Sequence, residues 1–194
     1  MTAISPLEFV NKKGLFGEHH KKKESNLIQI MELKNLNIIQ IFQNKKSNIS
    51  LDNIKIDNLE MPTENSKVMS NKFTRILCIG PKTWLIVSNK NITEDIKNFF
   101  KEEDFAITDI SHSRAAIQIK GFQTKDVLKK GCPINLNNFE KNSCAGTVFH
   151  GISIVIDFVD NNPDTFNLLT LRSFGESFYH HITDAALEFG YVGV

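Results

Sequence analysis

The densest group of side chains that could perform acid–base or nucleophilic chemistry lies between Asp109 and Arg114, in the run Asp-Ile-Ser-His-Ser-Arg. Aspartate, serine and histidine are the residue types of a hydrolytic triad, in which histidine stands between the other two and takes the serine proton. Neighbouring residues of a strand point to opposite faces, so Ser111 and His112 are poorly placed for that bond. The run favours a turn held by aspartate and serine hydrogen bonds, which leaves Arg114 available to a carboxylate.

A second candidate for chemistry is the run Lys130-Gly-Cys-Pro133. Cys132 follows the predicted end of a helix, where the negative end of the helix dipole disfavours the reactive thiolate. The ammonium groups of Lys129 and Lys130 could offset that effect. The sequence therefore favours a buried or capping cysteine before Pro133, at a corner of the fold, over a nucleophile.

The remaining sequence offers no metal or phosphate motif. His180 and His181 are adjacent, so they cannot share one helix face as an i, i+4 metal pair does. Neither glycine-rich phosphate loop, GxGxxG nor GxxxxGK[ST], is present. We therefore predict no catalytic, cofactor-binding or metal-binding residue in this chain. Trp84 begins a predicted strand and is either a core residue or an anchor for a partner.

Composition narrows the class of protein. The 194 residues carry a net charge of +1, which argues against a nucleic-acid binder, and the basic run from His19 to Lys23 lacks an amphipathic pattern. Three cysteines without a CxxC pair fit no disulfide framework. The longest apolar stretch, Ile152–Val159, is too short to span a bilayer. These observations predict a soluble cytoplasmic protein that binds neither nucleic acid nor membrane.

Apolar runs around turn signals predict three β-hairpins, and further short strands lie at Leu27–Met31, Leu36–Phe42 and Phe166–Leu171. The hairpins pair Phe73–Ile79 with Trp84–Val87, Phe105–Ile110 with Ala115–Lys120, and Cys144–Phe149 with Ile152–Val159. A short helix is possible between Asn44 and Glu64. Further helices are predicted from an N-cap at Thr93 and over Gln123–Lys130.

The last helix has the clearest signal. Ser173 and Glu176 have the spacing of a capping box, and Phe174 begins an apolar stripe that continues to Phe189. Helices that alternate with antiparallel strand pairs predict an α+β fold, and a faint repeat of strand followed by helix suggests two similar lobes. Residues 1–25 lack periodicity and predict a flexible N-terminal arm that precedes a domain over 26–194.

Several motifs, in order over about residues 75–190, resemble the sarcosine oxidase gamma subunit family. The two most specific are Lys130-Gly-Cys-Pro133 and Arg172-Ser-Phe174, and the others are Gly80–Leu85, Asp109–Arg114, Ile117–Gly121, Ser143–Thr147 and Asp164–Phe166. A related branch of the wider aminomethyltransferase superfamily carries Lys-Gly-Cys followed by an aromatic residue and a Gly-Gln-Glu run. Here Pro133 follows Cys132 and that run is absent, which argues against a folate-dependent repair role.

The resemblance implies a fold like the folate-binding domain of aminomethyltransferases and a heterotetrameric oxidoreductase that oxidises sarcosine to glycine with release of hydrogen peroxide. FMN, FAD, NAD, tetrahydrofolate and zinc would belong to the alpha, beta and delta subunits. The gamma-like chain would assemble the complex without catalysing its reaction. Its candidate interface or structural residues are Trp84, Asp109, His112, Arg114, Cys132, Pro133, Arg172 and Phe174. The alternative is a stand-alone folate-binding or one-carbon-transfer protein of the same superfamily.

Overall fold

The computed structural model describes residues 4–20 and 22–194, which divide into two compact units, each built on its own β-sheet. The first unit holds the chain up to Lys34 with Ser113–Lys141 and Ala145–Val194, and the second holds Asn35–His112 with Asn142–Cys144. The predicted α+β class and antiparallel pairing are confirmed. Both units are discontinuous in sequence, and the predicted boundary at residue 25 falls inside the first.

The strands, in chain order, are β1 (Gly14–Phe16), β2 (Ile28–Glu32), β3 (Asn37–Gln43), β4 (Lys55–Ile56), β5 (Leu59–Glu60), β6 (Val68–Ser70), β7 (Thr74–Gly80), β8 (Thr83–Ser88), β9 (Phe105–Asp109), β10 (Arg114–Lys120), β11 (Cys144–Phe149), β12 (Ile152–Asn161), β13 (Asp164–Leu171) and β14 (Tyr191–Gly193). The α-helices are α1 (Thr93–Phe99), α2 (Thr124–Lys129) and α3 (Gly175–Ala186). No helix in the described ranges is both long and apolar enough to cross a membrane.

The sheet of the first unit has seven strands in the order β1-β14-β2-β10-β13-β12-β11. Strands β14 and β2 run parallel, and the registered pairs β2–β10, β10–β13 and β12–β13 are antiparallel. Alternate residues of the central strands, such as Ile117 and Leu168, face one apolar core with Val127 of α2 and Phe178 of α3. The inward-facing strand residues, which recur at every second position, therefore pack against the apolar stripe of α3 in this core.

The sheet of the second unit has five strands in the order β6-β7-β8-β3-β9, all antiparallel. The β7–β8 hairpin around Pro81 is confirmed. The segment from Asn44 to Glu64 contains the β4–β5 hairpin instead of the short helix that the sequence allowed. A separate apolar core includes Trp84, Ile96 of α1 and Ile56 of β4.

The described part of the predicted flexible arm, 4–20 and 22–25, differs from that prediction; residues 1–3 and 21 lie outside the described residues. Leu7 and Val10 are buried in the core of the first unit, and β1 pairs with β14. The chain passes so close to β14 that a Cβ on Gly193 would lie 1.9 Å from the carbonyl oxygen of Lys12. The arm docks because two apolar side chains three residues apart reach the core on one face of a turn.

Three further local predictions were wrong. Strands β9 and β10 do not form a hairpin: β9 pairs with β3, whereas β10 pairs with β2 and β13. The capping box at Ser173 is also absent, because residues Arg172–Phe174 form a 3-10 turn and Phe174 precedes α3 without a side-chain cap. Helix α1 likewise begins at Thr93 instead of being capped by it. The 3-10 turns at Ser111–Ser113 and Arg172–Phe174 replace the hairpin connection and the capping box that local sequence suggested.

Candidate functional site

The Asp109–His112 segment forms a hydrogen-bonded turn in the second unit. One carboxylate oxygen of Asp109 accepts hydrogen bonds from the Ser111 hydroxyl at 2.6 Å and from the Ser111 amide at 2.9 Å. These bonds hold the pKa of Asp109 below its usual value, with the hydroxyl making the largest contribution. The Ser111 oxygen in turn accepts from the amide of Ile38 at 2.9 Å.

This geometry does not suit a triad. A nucleophilic serine must donate its proton to histidine, whereas the Ser111 hydroxyl donates to Asp109. The His112 side chain is exposed on the 3-10 turn Ser111–Ser113. The turn closes the end of β9 and fixes the start of β3, which is a structural role.

Trp84 lies in the core of the second unit, where 2% of its surface is exposed. Its indole N–H donates to the carbonyl oxygen of Pro62 at 2.8 Å. Because both its ring and its polar atom are used inside the unit, Trp84 is placed to stabilise the fold and not to anchor a partner.

Cys132 lies just beyond α2, in the core of the first unit, and Pro133 is exposed beside it. Burial raises the pKa of the Cys132 thiol to about 12. Neither neighbouring lysine reduces that effect. Lys129 pairs with Asp126 at 3.2 Å, and Lys130 binds Glu188 at 2.6 Å beyond the end of α3. The corner therefore suits packing, since neither lysine is committed to the sulfur.

We expect native Cys132 to resist alkylation. At about pH 8, a thiol with a pKa near 12 is ionised in only about one molecule in ten thousand, and only the thiolate attacks the reagent. Mass spectrometry after iodoacetamide treatment should find Cys132 unmodified in the native chain and modified in denaturant. Rapid modification of Cys132 under native conditions would contradict the structural reading of this corner.

Three other candidates meet at one end of the seven-stranded sheet. Arg114 begins β10 opposite Leu171, the last residue of β13. The 3-10 turn with Arg172 and Phe174 follows directly. A guanidinium N–H of Arg172 donates to the carbonyl oxygen of Ile4. The structure thus brings Arg114 beside the turn that holds Arg172 and Phe174, which lies more than 50 residues later in the sequence.

Arg114 differs from an ordinary surface arginine. It is half-buried, burial lowers its pKa, and its Nε atom is buried without a hydrogen-bond partner in the part of the chain that the structure describes. A desolvated guanidinium N–H without an acceptor is costly, so native proteins seldom leave one unsatisfied.

Glu32 belongs to none of the sequence motifs, yet its side chain is buried and only 1% exposed. One of its oxygens accepts from the amide of Leu7 at 3.2 Å and from the hydroxyl of Ser5. The other lies 3.5 Å from the ammonium group of Lys34. Ile28 and Ile30 point into the core, and Glu32 occupies the next inward-facing position of the same strand. A charged residue at an inward-facing position was therefore the feature of the sequence that could have identified it.

A surface cavity of about 400 Å³ beside α3 is lined by His180, His181, Thr183, Asp184, Leu187 and Tyr191. The ring centroids of His181 and His150 lie 5.3 Å apart. Across residues 4–20 and 22–194, no group of three His, Cys, Asp or Glu side chains is placed to hold a metal ion. The cavity therefore has polar walls without a converged set of ligands.

Solved structures show where this fold occurs. A chain of the heterotetrameric sarcosine oxidase from Corynebacterium sp. U-96, solved with pyrrole 2-carboxylate, superposes with a TM-score of 0.81 at 19% identity, over 97% of each chain. The glycine cleavage system aminomethyltransferase T from Bartonella henselae superposes with a TM-score of 0.63 at 10% identity, over 88% of this chain and 49% of that one. At these identities the likeness establishes the fold alone, and it confirms the predicted resemblance to the folate-binding domain.

Sequence comparison provides the family. The sarcosine oxidase subunit gamma of Corynebacterium sp. (strain U-96) is 26% identical over 120 residues, which cover 60% of this chain and 58% of that relative's length. The sarcosine oxidase gamma subunit family model matches residues 52–188, well over half of the chain. The predicted resemblance is thus confirmed, and the chain belongs to the sarcosine oxidase gamma subunit family.

Proposed function

We propose that this chain is the gamma subunit of a heteromeric sarcosine oxidase and that it acts in assembly without catalysing a step. The observation that carries the proposal is the family match over residues 52–188. The complex would oxidise the C–N bond of sarcosine to give glycine, with oxygen reduced to hydrogen peroxide. The methyl carbon would leave as formaldehyde or pass to tetrahydrofolate.

The proposal assigns the redox chemistry to partner subunits. FMN, FAD and NAD belong to alpha and beta, zinc belongs to delta, and tetrahydrofolate belongs to the folate-binding part of the complex outside this chain. The side chains described above support this division. Ser111 donates to Asp109 instead of His112, and the thiol of Cys132 is held protonated by burial. The cytoplasmic location remains a prediction from the sequence.

At two glycines, Gly17 and Gly131, the chain packs closely against itself and leaves no room for a phosphate. A Cβ on Gly17 would lie 2.2 Å from the carbonyl oxygen of Leu187, and one on Gly131 would lie 2.8 Å from the ring of Phe149. Their missing side chains therefore make room for the chain itself, whereas a phosphate loop uses such space for the ligand.

The proposal is tested with purified proteins. We expect the chain to co-purify with flavoprotein subunits from its own source, and we expect the isolated chain to be colourless and to make no peroxide from sarcosine. His112→Ala and Cys132→Ala should leave turnover per intact complex within about twofold of the wild type, because neither side chain reaches reacting atoms.

Three results would count against the proposal. A chain that fails to bind any flavoprotein subunit is not an assembly subunit. Flavin absorbance or sarcosine-dependent peroxide from the isolated chain would make it a catalyst. Tight binding of tetrahydrofolate by the isolated chain, with transfer of a one-carbon unit, would favour the stand-alone folate protein. Turnover is normalised to intact complex by size exclusion, so that an assembly defect is not read as a catalytic one.

A further inference from the structure

An exposed group of apolar and cationic side chains lies at the end of the seven-stranded sheet. We call it the Arg-Phe patch, and its members are Ile4, Arg114, Leu171, Arg172 and Phe174. Its apolar side chains are unusually exposed, at 47% for Phe174, 59% for Ile4 and 39% for Leu171. The β10–β13 register sets Leu171 opposite Arg114, and the bond from Arg172 to the Ile4 carbonyl brings the arm to the same place.

The cations of the Arg-Phe patch lack acidic partners. Among the ion pairs of residues 4–20 and 22–194, neither Arg114 nor Arg172 has a carboxylate within 4 Å. Arg172 uses one N–H on the Ile4 carbonyl, and the buried Nε of Arg114 has no acceptor among the described residues. An arginine that is already partly desolvated gains most from a carboxylate, since much of its dehydration cost is met before binding.

We propose that the Arg-Phe patch is the surface on which a partner subunit docks, and that its occupant is an apolar segment of that subunit carrying an aspartate or glutamate. The inference rests on the proposed function as an assembly subunit. The carboxylate would bind Arg114 and Arg172, while the apolar side chains beside it would cover Phe174 and Leu171. Aromatic and arginine side chains are the usual anchors of protein interfaces.

The chemistry of the patch argues against two other occupants. A second copy of this chain, bound about a twofold axis, would set the same arginines against each other, because such an interface joins the same surface on both subunits. A nucleic-acid backbone would satisfy the arginines but would leave three apolar side chains against phosphates and sugars.

Phe122, another exposed aromatic residue of the first unit, does not combine these features. Phe122 is 66% exposed just beyond β10, but the cation near it, Lys22, donates to both the carbonyl oxygen of Phe189 at 2.8 Å and the side-chain oxygen of Gln123 at 3.4 Å. Phe122 therefore serves as the control for Phe174, since it is the more exposed phenylalanine of the two and lies in the same unit. Lys46 is an exposed cation of the second unit and serves as the control for Arg172.

The test is co-expression of the full-length tagged chain with the flavoprotein subunits. We expect Phe174→Ser and Arg172→Glu each to reduce the co-purified flavoprotein by at least about tenfold. Phe122→Ser and Lys46→Glu should retain it within about twofold. Circular dichroism of each isolated variant checks that it folds. Phe174→Ser leaves the Arg172–Ile4 bond in place, so its result does not depend on the arm.

The outcomes separate the two proposals. If the wild-type chain captures the flavoproteins and both patch variants fold and capture them equally well, the Arg-Phe patch is not the docking surface and the assembly role stands. If both patch variants fold and lose capture while the controls keep it, the inference holds. If the wild-type chain captures nothing, the assembly role fails and the inference fails with it.

Discussion

Replacing Phe178 with alanine is expected to destabilise the first unit by about 3–5 kcal/mol, the usual cost of deleting a buried phenyl ring from a packed core. Phe178 lies in α3 and is fully buried. Its ring meets that of Phe149 edge to face, with centroids 6.0 Å apart. The substitution removes apolar contacts between α3 and the sheet, and it leaves a cavity that neighbouring strands cannot fill.

Urea unfolding of the isolated chain measures this cost. Phe122→Ala deletes the same ring from an exposed position and should change the free energy of unfolding by less than about 0.5 kcal/mol. If the two units unfold in separate transitions, the shift should fall on the one that includes α3. Equal shifts for the two variants would contradict the packing of α3 described here.

The apolar stripe of α3 shows how much of this fold can be predicted from sequence. Phe178, Ile182 and Ala186 recur at helical spacing and are all buried. Phe174 fits the same spacing but is nearly half exposed, because the chain there forms a 3-10 turn and has not entered the helix. Periodicity alone cannot tell where a helix starts when the cap residues are not used, and the unused capping box was the misleading signal.

The error at β9 and β10 has a different cause. Their short connection suits a hairpin, but β10 carries three consecutive buried residues, Ala115, Ala116 and Ile117, as a strand covered on both faces does. Strand β9 lies at the edge of its sheet and is mostly exposed. The partners of β10 lie about 50 and 85 residues away in sequence, so local turn chemistry could not identify them.

Some candidate residues could likewise be judged from local sequence, whereas others depend on contacts between distant segments. The turn at Asp109 and the thiol at Cys132 could be judged from local geometry, since strand direction and helix ends act over a few residues. The meeting of Arg114 with Arg172 depends on the β10–β13 register, which local sequence does not specify. Glu32 was missed because its role depends on contacts with Ser5 and Leu7, 27 and 25 residues away.

That carboxylate supports the second large prediction, that Glu32→Ala releases the N-terminal arm. The substitution leaves the Leu7 amide without its acceptor and removes the charge that pairs with Lys34. Loss of a buried, charge-assisted contact of this kind costs about 3 kcal/mol. Once Leu7 leaves the core, the arm is held by β1, a three-residue edge strand, by the burial of Val10, and by the bond from the Lys12 amide to the Tyr179 hydroxyl.

Amide hydrogen exchange reports the release directly. In the wild-type chain the amides of Leu7 and Asn11 are hydrogen-bonded, and we expect both to be protected. In Glu32→Ala their protection should fall about 100-fold, which corresponds to about 3 kcal/mol. The amide of Leu168 in the central strand β13 should keep its protection, since the arm opens without unfolding the sheet.

Glu8→Ala is the matched control, because it removes another carboxylate near Lys34. In the Glu8–Lys34 pair the charged atoms lie 3.7 Å apart and both side chains are about half exposed. The loss of such an exposed pair costs about 0–0.5 kcal/mol, so the protection of Leu7 and Asn11 should change by less than about threefold. Glu32→Gln retains an oxygen for the Leu7 amide but not the charge, so it should fall between the two. Wild-type exchange at Leu7 as fast as in an unfolded peptide would mean that the arm is free in the isolated chain, as the sequence suggested. Unchanged protection in Glu32→Ala would instead mean that Leu7 and Val10 hold the arm by apolar burial alone, and that the carboxylate contributes little to docking.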